Sequence, residues 1–477
     1  MLRKIALLLA VVLVFSLLGA CSAGQENSSG DGTGQSQSSP GGSEQSGEKI
    51  QIRFWMRNSD DDHWANRYFK EFNAEQDEIE MIYEAYGENY DNIISIALAS
   101  DEPPEIFEAQ SNPPVVKLAE AGHIVPIDDL FDEEFKSQFH PSTFAQLDLY
   151  YNGELYSIPC RFSTYKLLYN KGLFEEAGLD PNSPPETWEQ VREYAKKITE
   201  AGNGDFYGYG IYVNYPNWWM RHIDCALVEM GESGLFGFDY VSGRFDFSKS
   251  QRMFQFWVDL YNDGSTFPGA LELGVEQMRA NFAQSKVGMM IDGNWMSSQY
   301  AGMEDVIADW SCTEIPIFED SKRAKGYMVG EETFVIAKNN KYLEESKKMY
   351  KILMEIQPET RKGGDAQCKC ILSANTPEAY ELLPKDRNYV ALEEQLRIDN
   401  NACFAVEPYK FIVVEGADRN AVYNTLIASA FDGDMSGWDA AIEDLTDRYN
   451  TALDKALADG TLKEEDIKPE GFDYFNR

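Results

Sequence analysis

The 477 residues include 80 acidic and 42 basic side chains, a formal charge of −38, with seven cysteines and four histidines. An acidic excess of this size argues against binding nucleic acid or anionic lipid headgroups, and it describes a self-repelling surface without specifying a cationic ligand. The length suffices for two lobes of one assembly.

Residues 1–20 read as a secretory signal: Arg3 and Lys4 first, an apolar run from Ile5 to Leu18, then the small Gly19-Ala20. That run is short and leads straight into polar sequence, so a retained membrane span is not expected. Leu18-Gly19-Ala20-Cys21 resembles a bacterial lipobox, with cleavage before Cys21 and a diacylglyceryl group on its sulfur. Two acyl chains hold a protein on a membrane durably where one does not. Residues 21–49 form the lipidated tether. From Ser22 to Glu48 they are Ser-, Gly- and Gln-rich, too polar to offset their ordering entropy, with a reach on the order of 30 Å.

Lys49 to Trp55 alternates as a first strand should. A helix is expected from about His63 to Asn73 with Trp64, Tyr68, Phe69 and Phe72 inward. A second strand follows at Ile79–Tyr83, a helix at Tyr90–Ala99, and a short third strand at Glu105–Phe107 after Pro103-Pro104. This alternation predicts an α/β fold with a mainly parallel sheet. Asn152-Gly153 marks a turn before an extended run ending at Tyr156, Ile158 and Pro159, and Lys166–Asn170 is a second apolar run. Between them Arg161–Tyr165 has neither periodicity and reads as a crossing between two bodies. Lys171 starts a helix that stops at Gly178, with Pro181 beyond.

Thr187 is placed to cap a helix to about Thr199, with Gln190 three residues on. Phe206–Asn214 reads as a strand leading to Trp218 and Trp219. Phe245–Ser248 opens a helix to about Tyr261, closed by Asn262-Asp263-Gly264. Phe282–Asp292 holds a helix end and a strand running into Asn294-Trp295. Gly326–Lys338 is a return strand, followed by a helix over Tyr342–Glu355 and a further crossing near Ile371–Asn375. Helices at about Ala417–Phe431 and Trp438–Leu457 end the chain.

Several of these stretches share one resemblance. YNGELYSIP…STYKLLYNKGLFEEAGLD…TWEQ, ALASDEPPEIFEA followed by VVKLAEAGHIVPIDDLF, and KVGMMIDGNW together resemble the extracellular solute-binding proteins of ABC importers, in the sugar-binding family related to maltose-binding protein. The resemblance spans roughly residues 50–460, with departures clustered from Glu359 to Phe411 and Glu105 standing where an Asp is commoner. It implies a periplasmic-binding-protein-like fold of type II: two α/β lobes joined by a multi-strand hinge around a ligand cleft. The lobes would be residues 50–160 with 326–372, and 161–325 with 373–477. The hinge would be Pro159–Tyr165, Val335–Ala337 and about Ile371–Asn375. A monomer without cofactor is implied, tethered outside the cell membrane. It would close on a carbohydrate and deliver it to ABC permease subunits. A cell-surface glycoside hydrolase and a sugar-sensing subunit for a signalling kinase are the alternatives.

In α/β lobes, ligands meet residues just past the carboxyl ends of strands. That rule selects Trp55 and Arg57, Tyr86 and Glu88, Glu108 and Gln110 on one side of the cleft. It selects Arg161 and Tyr165, Trp218 and Trp219, Asn294 and Trp295 on the other, with Glu331 and Glu332 at the return. By resemblance, Trp295 is the foremost candidate for stacking on a sugar ring. The competing reading of each aromatic is core or rim packing.

The motifs of nucleophilic, phosphate-binding and zinc hydrolases are missing from the sequence. Glu108, Glu331 and Glu332 are the carboxylates from which a glycosidase pair would be drawn. Asp432, Asp434, Ser436, Gly437 and Glu443 have calcium-loop spacing, but Ser stands at the fifth position and Asp439 at the eighth. A turn with Ser436 capping the last long helix is the preferred reading. Cys160, Cys225, Cys312, Cys368, Cys370 and Cys403 are expected to be buried free thiols, although an extracytoplasmic site permits disulfides.

Overall fold

The computed structural model describes residues 49–57, 63–100, 102–109, 113–137, 143–214, 216–293, 296, 300, 306–360, 401–402 and 404–476. The expected signal, Cys21 with its tether, the crossing near Ile371–Asn375, and Cys368, Cys370 and Cys403 lie outside these residues.

The first sheet grows from β1 (Ile50–Met56), whose pleat turns Ile52, Phe54 and Met56 inward. It pairs in parallel with β2 (Ile79–Ala85) from Ile50↔Ile79 to Met56↔Ala85, and with β3 (Ile106–Glu108) at Phe54↔Ile106. Parallel neighbours need a crossover, supplied by α1 (Trp64–Glu75) and α2 (Tyr90–Ala99). His63 caps α1 through its ring nitrogen, and Phe69 packs edge-on against Phe54 at 5.2 Å between ring centres.

Two later strands complete this sheet. They are β4 (Pro159–Ser163), antiparallel to the long return strand, and that return strand itself, Val329–Ile336, which also runs antiparallel to β3. The sheet is therefore mixed, with β1, β2, β3 and β4 running in one direction and the return strand opposing them. Only the return strand runs against the others, since β4, antiparallel to it, has the same direction as β3.

The second sheet is built on β5 (Tyr165–Asn170), buried along its whole length. Its neighbours are β6 (Tyr207–Tyr209), β7 (Val287–Gly293) and β8 (Trp310–Thr313), in the order β8-β5-β7-β6. β5 is antiparallel to β7 and β8, and β6 pairs with β7 in parallel. The return strand Val329–Ile336 is β9. Helix α3 (Trp188–Gly202) lies directly on β6: a side chain added at Gly208 would sit 2.0 Å from the Ala195 carbonyl oxygen. The expected capping box is present, with Gln190 N–H donating to Thr187 Oγ1 at 3.2 Å. The helix stops at Asn203, in the left-handed region at φ 44°.

Each sheet has its own core. Ile52, Phe54, Phe107, Ile158, Cys160, Phe334 and Tyr350 belong to the first. Leu167, Trp188, Tyr209, Trp257, Met289, Tyr423 and Leu445 belong to the second, where α8 (Arg419–Phe431) and α9 (Trp438–Ala458) also pack; α7 (Leu343–Thr360) packs on the first. Between α3 and α7 lie α4 (Pro216–Glu229), α5 (Gln251–Asn262) and α6 (Val275–Ala283). Among the described residues, no helix is long and apolar enough to cross a membrane.

β4 and β9 pass between the cores as one antiparallel ribbon, with Val329↔Ser163 and Thr333↔Pro159 in register. This revises two expectations. Arg161–Ser163 is strand and not an irregular crossing, because it pairs with a strand about 170 residues away in sequence. Val335–Ala337 is not hinge: these residues are fully buried in the first core, and Val335 pairs with Phe107. β9 passes between the cores upstream, between Val329 and Phe334.

Smaller differences follow the same logic. The strand expected over Phe206–Asn214 is confined to Tyr207–Tyr209, beyond which the chain leaves the sheet and Val213 N–H bonds to the Ala270 carbonyl. Gly437, not Ser436, occupies the cap position of α9, while Ser436 N–H donates to Asp434 Oδ1 at 2.9 Å. Cys160, Cys225 and Cys312 are buried free thiols.

Candidate functional site

The end of β3 lies beside β9, with Glu108 opposite Phe334, and the end of β7 beside the start of β5, with Gly293 opposite Tyr165. On the first lobe, Arg57 N–H after β1 donates to Glu108 Oε2 at 2.8 Å, and Tyr90 O–H donates to the Glu108 carbonyl at 2.6 Å. The Arg57 guanidinium pairs with Asp91 and lies 5.4 Å from the Tyr90 ring centre. Burial is the main reason the Tyr90 phenol is held well above its ordinary pKa, so it stays a donor. Trp55 is half-buried, packs edge-on to Tyr86 at 4.8 Å, and gives its indole N–H to Glu84.

On the second lobe, Tyr165 opens β5 opposite Gly293, the last residue of β7. Arg221, on α4, sits 6.0 Å above the Tyr165 ring. The end of β7 is fixed by a buried ion pair: Arg279 Nε and Nη2 donate to Asp292 at 2.7 and 2.8 Å, and Gly293 N–H donates to Asp292 Oδ1 at 2.7 Å. Burial opposes the Arg279 charge, but Asp292 raises its pKa by more than burial lowers it. Such a pair holds the last residues of β7 in a defined geometry. Nearby, Tyr212 and His222 share a buried 3.1 Å hydrogen bond, and burial pushes the imidazole down to about 3, so it is neutral.

The lobes also meet beside the ribbon. Leu147 N–H donates to the Ala405 carbonyl at 2.7 Å, and Lys410 Nζ binds Asp148 at 2.5 Å and Glu407 at 2.8 Å. Tyr327 and Tyr409 hydroxyls donate to the two Glu407 oxygens at 3.0 and 3.1 Å. Burial disfavours both charges here. The carboxylates nevertheless hold the Lys410 pKa well above its ordinary value, and Lys410 holds that of Glu407 below its own. A cavity of about 40 Å³ lies at this junction, with Gln146, Asp148 and Thr333 on one side and Arg221, Tyr409 and Lys410 on the other.

Of the residues chosen from sequence, Trp55, Arg57, Tyr86 and Glu108 share the first-lobe edge, and Tyr165 lies on the second. Glu108 brackets the chain after β1 through the Arg57 amide. Trp219 is not at the cleft: it is 3% exposed, on α4, with its indole N–H bonded to Asn424 Oδ1 at 2.8 Å in the second core. The residues after β6 form a helix, which turns that position inward. Gln110, Asn294 and Trp295 lie outside the described residues, as do the side chains of Glu88, Arg161, Trp218, Glu331 and Glu332. Sequence reading missed Gln146, Arg221 and the Asp148–Lys410 pair, whose partners are 262 residues apart. No local pattern marks such a pair.

Among the described residues there is no group of three or more His, Cys, Asp or Glu that could hold a metal ion. In the loop with calcium spacing, Asp434 is occupied by the Ser436 amide.

Residues 58–354 match the family model described as bacterial extracellular solute-binding protein. The sn-glycerol-3-phosphate-binding periplasmic protein of Brucella abortus is 36% identical over 148 residues, 29% of this chain and 33% of that protein. The chain spans less than half the length of the curated relatives it matches. Among solved structures, a solute-binding protein of an ABC transporter from Thermotoga lettingae bound with α-D-tagatose superposes with a TM-score of 0.66 at 22% identity, covering 85% of this chain and 100% of that one. The maltose/maltodextrin-binding domain of Bdellovibrio bacteriovorus, bound to maltotriose, gives 0.63 at 18% identity, over 86% and 100%. At these identities the likeness is one of fold.

Proposed function

Because the chain belongs to the bacterial extracellular solute-binding protein family, we propose that it captures a carbohydrate between its two lobes and hands it to the permease subunits of an ABC transporter. The family is one of extracytoplasmic binding proteins and not of enzymes, and both hold for this chain. The observation that supports the reading best is the pair of separate cores joined by the β4–β9 ribbon, with strand ends from both sheets at the junction. A ligand that touches both lobes stabilises the closed arrangement by its differential affinity for the two states.

The finer parts of the proposal are these. Residues 1–20 are removed and Cys21 carries the lipid, with residues 21–49 as tether to the outer face of the cell membrane. Residues 50–160 with 326–372 form one lobe and residues 161–325 with 373–477 the other, in a monomer. Trp295 stacks on the sugar, and Arg57, Gln110, Arg161, Tyr165, Trp218, Asn294 and Glu331 line the cleft around it. Neighbours of known structure include a chitin oligosaccharide binding protein, one bound to maltotriose and one bound with α-D-tagatose, in keeping with a sugar or oligosaccharide as ligand.

Thermal melting against maltotriose, xylotriose, chitotriose, cellotriose and sn-glycerol 3-phosphate tests this. A ligand at 100 times its dissociation constant adds about 2.7 kcal/mol, several degrees in melting temperature. A shift with at least one trisaccharide, and no product released from it, is the expected result. A shift with sn-glycerol 3-phosphate alone contradicts the carbohydrate assignment.

A further inference from the structure

Gln146 is 4% exposed, lines the cavity at the lobe junction, and its Nε2 has no hydrogen-bond partner. Buried amides are almost always paired, because leaving one unmade is costly. An unpaired donor facing a polar cavity therefore points to something that completes it.

The surroundings narrow the occupant. Gly330 of β9 keeps the space open: a side chain there would come within 2.7 Å of Gln146 Nε2 and 2.8 Å of Pro159. At about 40 Å³ the cavity is too small for a sugar ring and large enough for one hydroxyl or hydroxymethyl arm, a water needing roughly 10–15 Å³. Its wall offers both a donor, the Gln146 amide, and an acceptor, the Asp148 carboxylate, beside the Lys410 ammonium that Asp148 and Glu407 already neutralise. A hydroxyl uses both at once, donating to a carboxylate oxygen while accepting from the amide.

We infer that this cavity is a subsite for a single hydroxyl arm of the bound saccharide, with Gln146 as the residue that recognises its oxygen. The inference rests on the carbohydrate reading above and adds to it which part of the sugar is read at the lobe junction. With walls from both sides, an arm in the cavity reports that the lobes have come together.

The test titrates the wild-type protein and Gln146→Leu with whichever of the four trisaccharides binds, and with its monodeoxy derivatives. Gln146→Leu is expected to weaken the parent sugar about tenfold, the worth of one well-made hydrogen bond. One deoxy derivative is expected to lose a clearly larger factor on the wild type than on the variant, where only the Asp148 contact is left to lose. The unliganded variant should melt at or above the wild-type temperature, since an unpaired buried amide has been replaced by an apolar group of similar size. Equal loss for every deoxy derivative on both proteins overturns the inference while leaving carbohydrate binding intact, as does unchanged affinity of the variant for the parent sugar. A lower unliganded melting temperature also overturns it, because the amide would then have structural partners. A wild type that binds none of the sugars removes both readings.

Discussion

Glu229 shows how one buried side chain sets a pH dependence. It is 2% exposed at the end of α4, and although Arg323 binds it at 2.8 Å, burial pushes its carboxyl up to about 7. Between its ordinary value of 4.5 and 7, the folded protein holds a proton on this group that the unfolded chain has released. Stability from Glu229 is therefore fully present below pH 4.5 and falls as pH rises to 7, by an amount on the order of 1–3 kcal/mol. His222 works the other way: its depressed value means stability is lost as pH falls below 6.5. The two slopes overlap, so the measurement is the difference between wild type and Glu229→Gln in urea unfolding at pH 5 and pH 7. The variant should gain on the wild type as pH rises, and an unchanged difference would show that the Glu229 carboxyl titrates normally.

At the scale of elements, the parts of the chain with local chemical punctuation were legible in the sequence. Thr187 and Gln190 announced the start of α3, Gly178 takes the left-handed conformation expected after the short helix Lys171–Glu176, and Asn152-Gly153 makes a tight hairpin turn with both residues at positive φ. Replacing Thr187 by Ala removes a cap that satisfies the Gln190 amide. It should cost about 1 kcal/mol in urea unfolding without changing ligand affinity, whereas a loss below 0.3 kcal/mol would mean the helix start is held by packing alone. What the sequence concealed was set by distant partners. β4 is held by pairing with β9, about 170 residues away, which leaves no local pattern. α4, apolar on several faces, packs against α5 and α8 in the second core, so Trp219 read as a cleft aromatic. Val335–Ala337 looked like a crossing, yet pairing with β3 embeds it. The candidate site was legible where it follows strand ends, as at Arg57 and Tyr165. It was illegible at Gln146 and Arg221, which the junction of two lobes brings to one cavity.

For the whole molecule, the separation into two cores matters more than any single contact. Each sheet buries its own apolar face, the β4–β9 ribbon joins the two cores, and the Asp148–Lys410 pair and the Leu147–Ala405 hydrogen bond tie them beside it. A binding protein built this way gains its selectivity from closure, since only a ligand long enough to touch both lobes shifts the equilibrium between open and closed forms. Small-angle scattering of the protein with and without the trisaccharide that raises its melting temperature measures that shift directly. A smaller radius of gyration in the sugar-bound protein is the expected result, and a saturating sugar that leaves the profile unchanged would contradict closure of the two lobes on a shared ligand.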